Sequence, residues 1–298
     1  MPQSRKNILF VSFTVLGFVA CFLFPQSRPA QSQQPTSPST QSQTPALAAE
    51  SSTILISART KDGSPVEFST ADIEIKEDGK RATVEEVHRT VGFAINYCVI
   101  FDTSGSQREK FKLQQDEAAQ FLSKVVHAGR DSGILVAFSD ESFLDAEGTN
   151  PQDFLKAIEK EQPRGSTALF DAVTAGANHM SESSPDKSLR LMLILSDGDD
   201  DSSRLYQDAA ISALLKAGIR VYAIGQKIGQ TVSLREAERA ADILRRFART
   251  TGGKAYSPSK QEDADKAVAD IADQLANLFA VTYKLPDRKP DGRIPSWK

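Results

Sequence analysis

Cysteine is scarce in this chain: Cys21 and Cys98 are the only two among 298 residues. Cys21 stands in an apolar N-terminal run and Cys98 in a continuous apolar stretch, which argues against a disulfide framework. Cys98 reads instead as a small core residue. Histidine is almost as rare, and His88, His127 and His179 have the spacing of neither a zinc site nor a Ser/His/Asp triad. His127 and His179 fall late in expected helices, where positive charge is favourable; His88 lies in a strand-rich stretch. Neither sign of charge is in marked excess. A net charge of -3 and a pI of about 5.8 argue against a nucleic-acid binder. No Gly-x-x-x-x-Gly-Lys-(Ser/Thr) loop is present, which argues against nucleotide binding and hydrolysis.

What is present suits a globular protein: 40% of residues are hydrophobic and 25% charged. Arg5 and Lys6 precede a nearly unbroken apolar run over residues 8–24. That run is long for a signal-peptide core and short for a membrane span, and no good cleavage site follows closely. Phe18-Val-Ala-Cys21 only faintly resembles a lipoprotein box, because the apolar run continues beyond the cysteine. Residues 1–24 are therefore expected to be a signal peptide or a membrane anchor. Either one exports the remainder, as a periplasmic, extracellular or membrane-tethered protein. Residues 25–50 are rich in Gln, Ser, Pro and Thr, with no charge between Arg28 and Glu50, and are expected to be a disordered linker.

Residues 51–91 read as a β-rich module. Ile54 and Ile56 alternate with polar neighbours, as do Ile73 and Ile75, and Glu77-Asp-Gly-Lys80 supplies a hairpin turn. So short a piece is marginal alone, and the stretch 280–285, at the start of a C-terminal strand and tail spanning 280–298, is its candidate partner. Over residues 92–279, apolar runs at 94–101, 133–138, 189–195 and 219–224 are separated by helical stripes. One stripe carries Phe111, Ala118, Phe121 and Leu122, a second Ala240, Leu244 and Phe247, and a third Val268, Ile271, Leu275 and Leu278. This pattern predicts an α/β domain with a doubly wound, mainly parallel sheet, and residues 142–144 add an antiparallel edge.

Ligands of such sheets bind beyond the carboxyl ends of the strands. Three loops assigned to such ends carry oxygens: Asp102-Thr-Ser104-Gly-Ser106, then Gly165-Ser166-Thr167, then Ser196-Asp197-Gly198 with Asp199, Asp200 and Asp201 behind it. Carboxylates and hydroxyls together suit a hard divalent cation. Each element has a plainer explanation. Asp102 and Ser104 can cap a helix, Thr167 can cap the helix beginning near Ala168, and Asp197-Gly198 can be a simple turn. The acidic run 199–201 reads as a solvated loop. A Mg²⁺-dependent phosphotransferase is disfavoured, because Ser104 stands where a second carboxylate would act as general acid or base.

Taken together, Asp102, Ser104, Ser106, Thr167 and Asp197 resemble the metal-ion-dependent adhesion site of the von Willebrand factor A domain: Asp-x-Ser-x-Ser, a distant Thr and a distant Asp. The resemblance covers about two thirds of the chain, and the β-rich preface is similar to that of a bacterial exported subfamily. It implies a Rossmann-like fold and a metal held directly by Ser104 and Ser106, and by Thr167 directly or through water. Asp102 and Asp197 would act through water and by holding the hydroxyls. Few direct carboxylates leave such a cation seeking an outside anionic oxygen, such as a Glu or Asp side chain of a partner protein. Mg²⁺ fits best, with Mn²⁺ and Ca²⁺ open. The expected function is a non-enzymatic, exported protein-binding module. The alternative is a cation-stabilised scaffold of an envelope complex with its interface elsewhere. In relatives ligand binding shifts the last helix, here expected over 263–279.

Overall fold

The structure, a computed structural model, describes residues 16–18, 51–60, 66–77, 79–183, 188–225 and 233–285. Apart from Leu16–Phe18, the expected N-terminal segment and linker lie outside the described residues, as does the tail beyond Leu285. No helix among the described residues is long and apolar enough to cross a membrane.

Two sheets organise the chain. The larger has six strands: β5 (Ile95–Asp102), β6 (Ser132–Phe138), β7 (Ser142–Gly148), β8 (Leu189–Leu195), β9 (Arg220–Ile224) and β10 (Ala255–Tyr256). Their order is β10-β9-β8-β5-β6-β7, and every pairing is parallel except β7 on β6. Strand β5 lies centrally and all eight of its residues are buried, which is why it reads as a continuous apolar run. Tyr97, Val99 and Phe101 face α1 (Phe111–Lys124), α2 (Pro151–Lys160) and α6 (Gln261–Ala276). Cys98 and Ile100 face α3 (Leu169–Ser183), α4 (Gln207–Ala217) and α5 (Leu234–Thr251). The alternation of side chains along a strand thus divides the core into two layers. Gly176 lets α3 approach closely: a Cβ there would stand 2.9 Å from Cys98 Sγ and 3.0 Å from Ile100 Cδ1.

The smaller sheet is antiparallel. It contains β1 (Leu16–Phe18), β2 (Ser51–Ser57), β3 (Ile75–Glu77), β4 (Lys80–Arg89) and β11 (Leu278–Lys284), in the order β1-β2-β11-β4-β3. The C-terminal strand is thus the partner of the β-rich stretch, lying between β2 and β4. Glu77 pairs with Lys80 across the hairpin, and Gly79 takes a φ of 81°. The boundary expected at 279 falls inside β11. The last helix ends at Ala276, earlier than expected, because Asn277 turns the chain and bonds back to Asp273 with its side-chain amide (Nδ2 to O, 2.9 Å). Leu278 and Phe279 therefore belong to the strand.

The small sheet docks at the amino ends of the parallel strands. The Arg220 guanidinium, at the start of β9, donates to the Leu55 carbonyl at 2.9 Å. Arg59 pairs with Asp270 at 3.1 Å and also with Asp273 on α6. Asp270 further accepts from Lys254 (2.6 Å), Tyr256 (2.8 Å) and Gln274 (3.0 Å). Burial alone would raise the Asp270 pKa, but hydrogen bonds from Lys254, Tyr256 and Arg59 bring it down to about 2. A depressed pKa contributes stability above the ordinary carboxylate value, and that stability is lost as pH falls through the folded-state value. Asp270→Asn is expected to lose about 2 kcal/mol near neutral pH. Urea denaturation at a series of pH values should show this deficit shrinking as the pH falls from about 4 toward 2.

Candidate metal centre

Strand β5 delivers Asp102 to the carboxyl edge of the sheet, where the chain turns through a short 3-10 segment, Gly105–Gln107, before α1. Asp102 is fully buried. Its Oδ1 accepts the Ser104 N–H at 2.8 Å and its Oδ2 the Ser196 hydroxyl at 2.6 Å. Ser104 Oγ and Ser106 Oγ lie 3.1 Å apart; Ser104 is buried and Ser106 exposed. Ser104 precedes the 3-10 turn without making a side-chain cap, and Lys110, not Asp102, precedes α1. The capping explanation for Asp102 and Ser104 therefore does not hold.

The loop carrying Thr167 follows α2 rather than a strand, contrary to its assignment from sequence. Backbone bonds bring it to the sheet edge: Arg164 N–H to Thr103 O (2.7 Å), Gly105 N–H to Gly165 O (3.0 Å) and Ala168 N–H to Ser139 O (2.8 Å). Thr167 is buried, its N–H donates to Asp201 Oδ1 at 2.7 Å, and its carbonyl accepts from Asp201 and Ser202. The first turn of α3 is capped by the third loop, not by Thr167. Phe170 N–H donates to Asp200 Oδ1 and to Ser203 Oγ, each at 3.0 Å. Asp200 and Asp201 thus accept from backbone donors at a helix amino end, where carboxylates are favourable, while Asp199 and Asp201 remain exposed. Asp171 returns the tie by accepting from Arg204 and Leu205.

Asp197 follows β8 and is buried. Its Oδ2 accepts from the Lys110 ammonium at 3.3 Å and its Oδ1 from the Asp199 N–H at 3.3 Å. Gly198 takes a φ of 89°. A Cβ at Gly198 would overlap the Ala240 carbonyl oxygen. Burial, and next the Asp197 charge, push the Asp102 carboxyl up to about 7, against hydrogen bonds from Ser104 and Ser196. Two carboxylates so placed need positive charge nearby.

The donor set fits a divalent cation. Oxygens on adjacent corners of an Mg²⁺ octahedron, with bonds of about 2.1 Å, lie about 3 Å apart, close to the Ser104–Ser106 separation. Both Asp102 oxygens are already engaged, which matches a role in holding the serine loop rather than in direct ligation. Among the described residues no group of three or more His, Cys, Asp or Glu side chains could hold a metal, so any centre here is built mainly from hydroxyls. Sequence reasoning gave Ser196 no role beyond its place in the third loop and missed Lys110 and Gln114. Gln114 ties the ends of β5 and β8 together by donating to Asp102 O (2.9 Å) and Leu195 O (3.1 Å). Lys110, Gln114, Ala118 and Phe121 share one buried face.

The model of the von Willebrand factor type A domain matches residues 97–283. This chain belongs to that family, a class of protein-interaction and adhesion modules. No curated protein matches the chain in sequence. The SpaC pilus adhesin of Lactobacillus rhamnosus GG, in its open conformation, is 11% identical with a TM-score of 0.51; the likeness covers 76% of this chain and 32% of the adhesin. An aerotolerance-related membrane protein of Bacteroides fragilis is 14% identical, covering 61% of this chain and all of that one, with a TM-score of 0.48. A von Willebrand factor type A structure from Catenulispora acidiphila is 14% identical, covering 77% and 47%, with a TM-score of 0.47. At these identities the likeness is one of fold.

Ser196→Ala removes the shortest of the bonds that hold the buried Asp102 carboxylate. A loss of about 1–3 kcal/mol in urea denaturation is expected; an unchanged midpoint would show that Ser196 does not support Asp102.

Proposed function

We propose that this chain is an exported, non-enzymatic module that grips a Glu or Asp side chain of a partner protein through a divalent cation. Ser104, Ser106 and Thr167 hold the ion, and Asp102 and Asp197 steady the hydroxyls and act through water. Mg²⁺ suits the oxygen donors best, with Mn²⁺ and Ca²⁺ as alternatives. When bound, the ion supplies an electrophilic position for an anionic oxygen from outside. The observation that carries this reading is the pair of serine hydroxyls 3.1 Å apart beside a fully buried carboxylate.

The chain's own residues argue against catalysis. No second carboxylate stands two positions after Asp102, and none of the three histidines lies in the loops that build the site. Export is supported by Arg5, Lys6 and the apolar run 8–24. The described body also suits a tether. Ser51 opens β2 opposite Lys284, at the end of the small sheet farther from α6, while the candidate centre lies at the carboxyl edge of the large sheet. A module anchored through its N-terminus would thus present the centre outward.

A second reading places the interface elsewhere, with the cation serving stability alone. Val91 and Phe93 favour it, since both are exposed in the β4–β5 connection at the opposite pole. A pull-down from envelope extract in Mg²⁺, eluted with EDTA, separates the two. Ser104→Ala with Ser106→Ala is expected to abolish Mg²⁺ binding in calorimetry and at least about 90% of partner capture, with the fold retained. Unchanged capture by that variant would transfer the interface to the other pole.

A further inference from the structure

Lys110 is the one ammonium that reaches the candidate centre among the interactions described, and a solvent role does not explain it. It follows Arg108 and Glu109, both exposed, yet its own side chain is 2% exposed and its partner Asp197 is 5% exposed. The backbone fixes this inward course: Lys110 N–H bonds Gln107 O at 2.8 Å, and Lys110 O accepts the Gln114 N–H at 3.0 Å. The ammonium therefore turns inward from the residue just before α1 and meets Asp197 Oδ2 at 3.3 Å. Asp102 shares that centre through Ser196, the residue that precedes Asp197. Two buried carboxylates are thereby offered one fixed positive charge. Leaving either uncompensated costs far more than an exposed pair is worth.

We propose that Lys110 is a built-in competitor that sets the cation affinity of the centre, its ammonium neutralising Asp197 until a divalent ion displaces it. This rests on the metal-binding reading above. An ion approaching Asp197 meets a like charge at short range and must replace an existing buried pair, so its intrinsic affinity is lowered. The cation then binds weakly alone and more strongly once a partner carboxylate adds its charge. Lys110 thus couples metal occupancy to partner capture. It acts on the centre without being a ligand, as an affinity-setting residue.

Mn²⁺ titration followed by the electron paramagnetic resonance of the free ion tests this on wild type, Lys110→Met, Lys110→Gln and Lys110→Arg. Melting of the metal-free proteins is measured in parallel. Both neutral variants are expected to bind Mn²⁺ at least about tenfold more tightly than wild type, as removal of a repelling buried charge requires. They should also melt lower without metal and recover more on its addition, whereas Lys110→Arg stays near wild type. Equal or weaker Mn²⁺ binding by the neutral variants would overturn the inference while leaving the metal centre standing, because Lys110 would then be positioning Asp197. No Mn²⁺ binding by any of the four would overturn both. Should the neutral variants fail to fold, the Lys110 ammonium resonance of the wild type decides. It is expected to shift and lose its protection from water exchange as Mg²⁺ is added, and an unmoved resonance in Mg²⁺-saturated protein would refute displacement.

Discussion

Asp102 and Asp197 end adjacent parallel strands, and both are buried. Burial and the Asp197 charge raise the Asp102 carboxyl to about 7, so positive charge close by favours its ionised form. Every feature around them serves that constraint. Ser104 and Ser196 bond Asp102 directly, Lys110 bonds Asp197, and Gln114 clamps the strand ends from which both aspartates emerge. What remains on the open side is a set of hydroxyls, neutral oxygens suited to a hard cation. On the proposed reading, an ion held there would meet little direct negative charge and so would seek an external carboxylate.

The fold supplies the convergence. Parallel strands ending at one edge bring β5 and β8 together, and the α2–α3 connection is laced to that edge by backbone bonds rather than by a strand of its own. The acidic run after Asp197 fastens the start of α3, so Thr167 and Asp197 are fixed relative to one another by Asp200 and Asp201. At the other pole the small antiparallel sheet is held by Arg59 and Arg220.

Much of this was legible in the sequence. The buried strands appear as unbroken apolar runs because both faces are covered; the β7 edge was read from a short run after β6, and the pairing of the C-terminal strand from the small size of the β-rich stretch. Helix α2 was missed because its buried face consists of Phe154 and Ile158 alone, too little for a stripe. The end of α6 was misplaced because Leu278 continues the helical period while Asn277 breaks it. At the site, the five oxygen-bearing residues were singled out by their resemblance to the adhesion site of the von Willebrand factor A domain. Lys110 was not, since it sits in a charged stretch that looks solvated and only the packing of α1 turns it inward. The capping work of Asp200 and Asp201 was hidden for the same reason: their acceptors' partners are backbone groups some thirty residues earlier.

The most direct test of the account is a crystal structure of the protein grown or soaked with Mn²⁺, read by anomalous scattering. The account predicts one anomalous peak bonded to the hydroxyl oxygens of Ser104 and Ser106, near Thr167, with Lys110 moved away from Asp197. A well-ordered structure in saturating Mn²⁺ that has no peak beside these serines, and Lys110 still on Asp197, would contradict it.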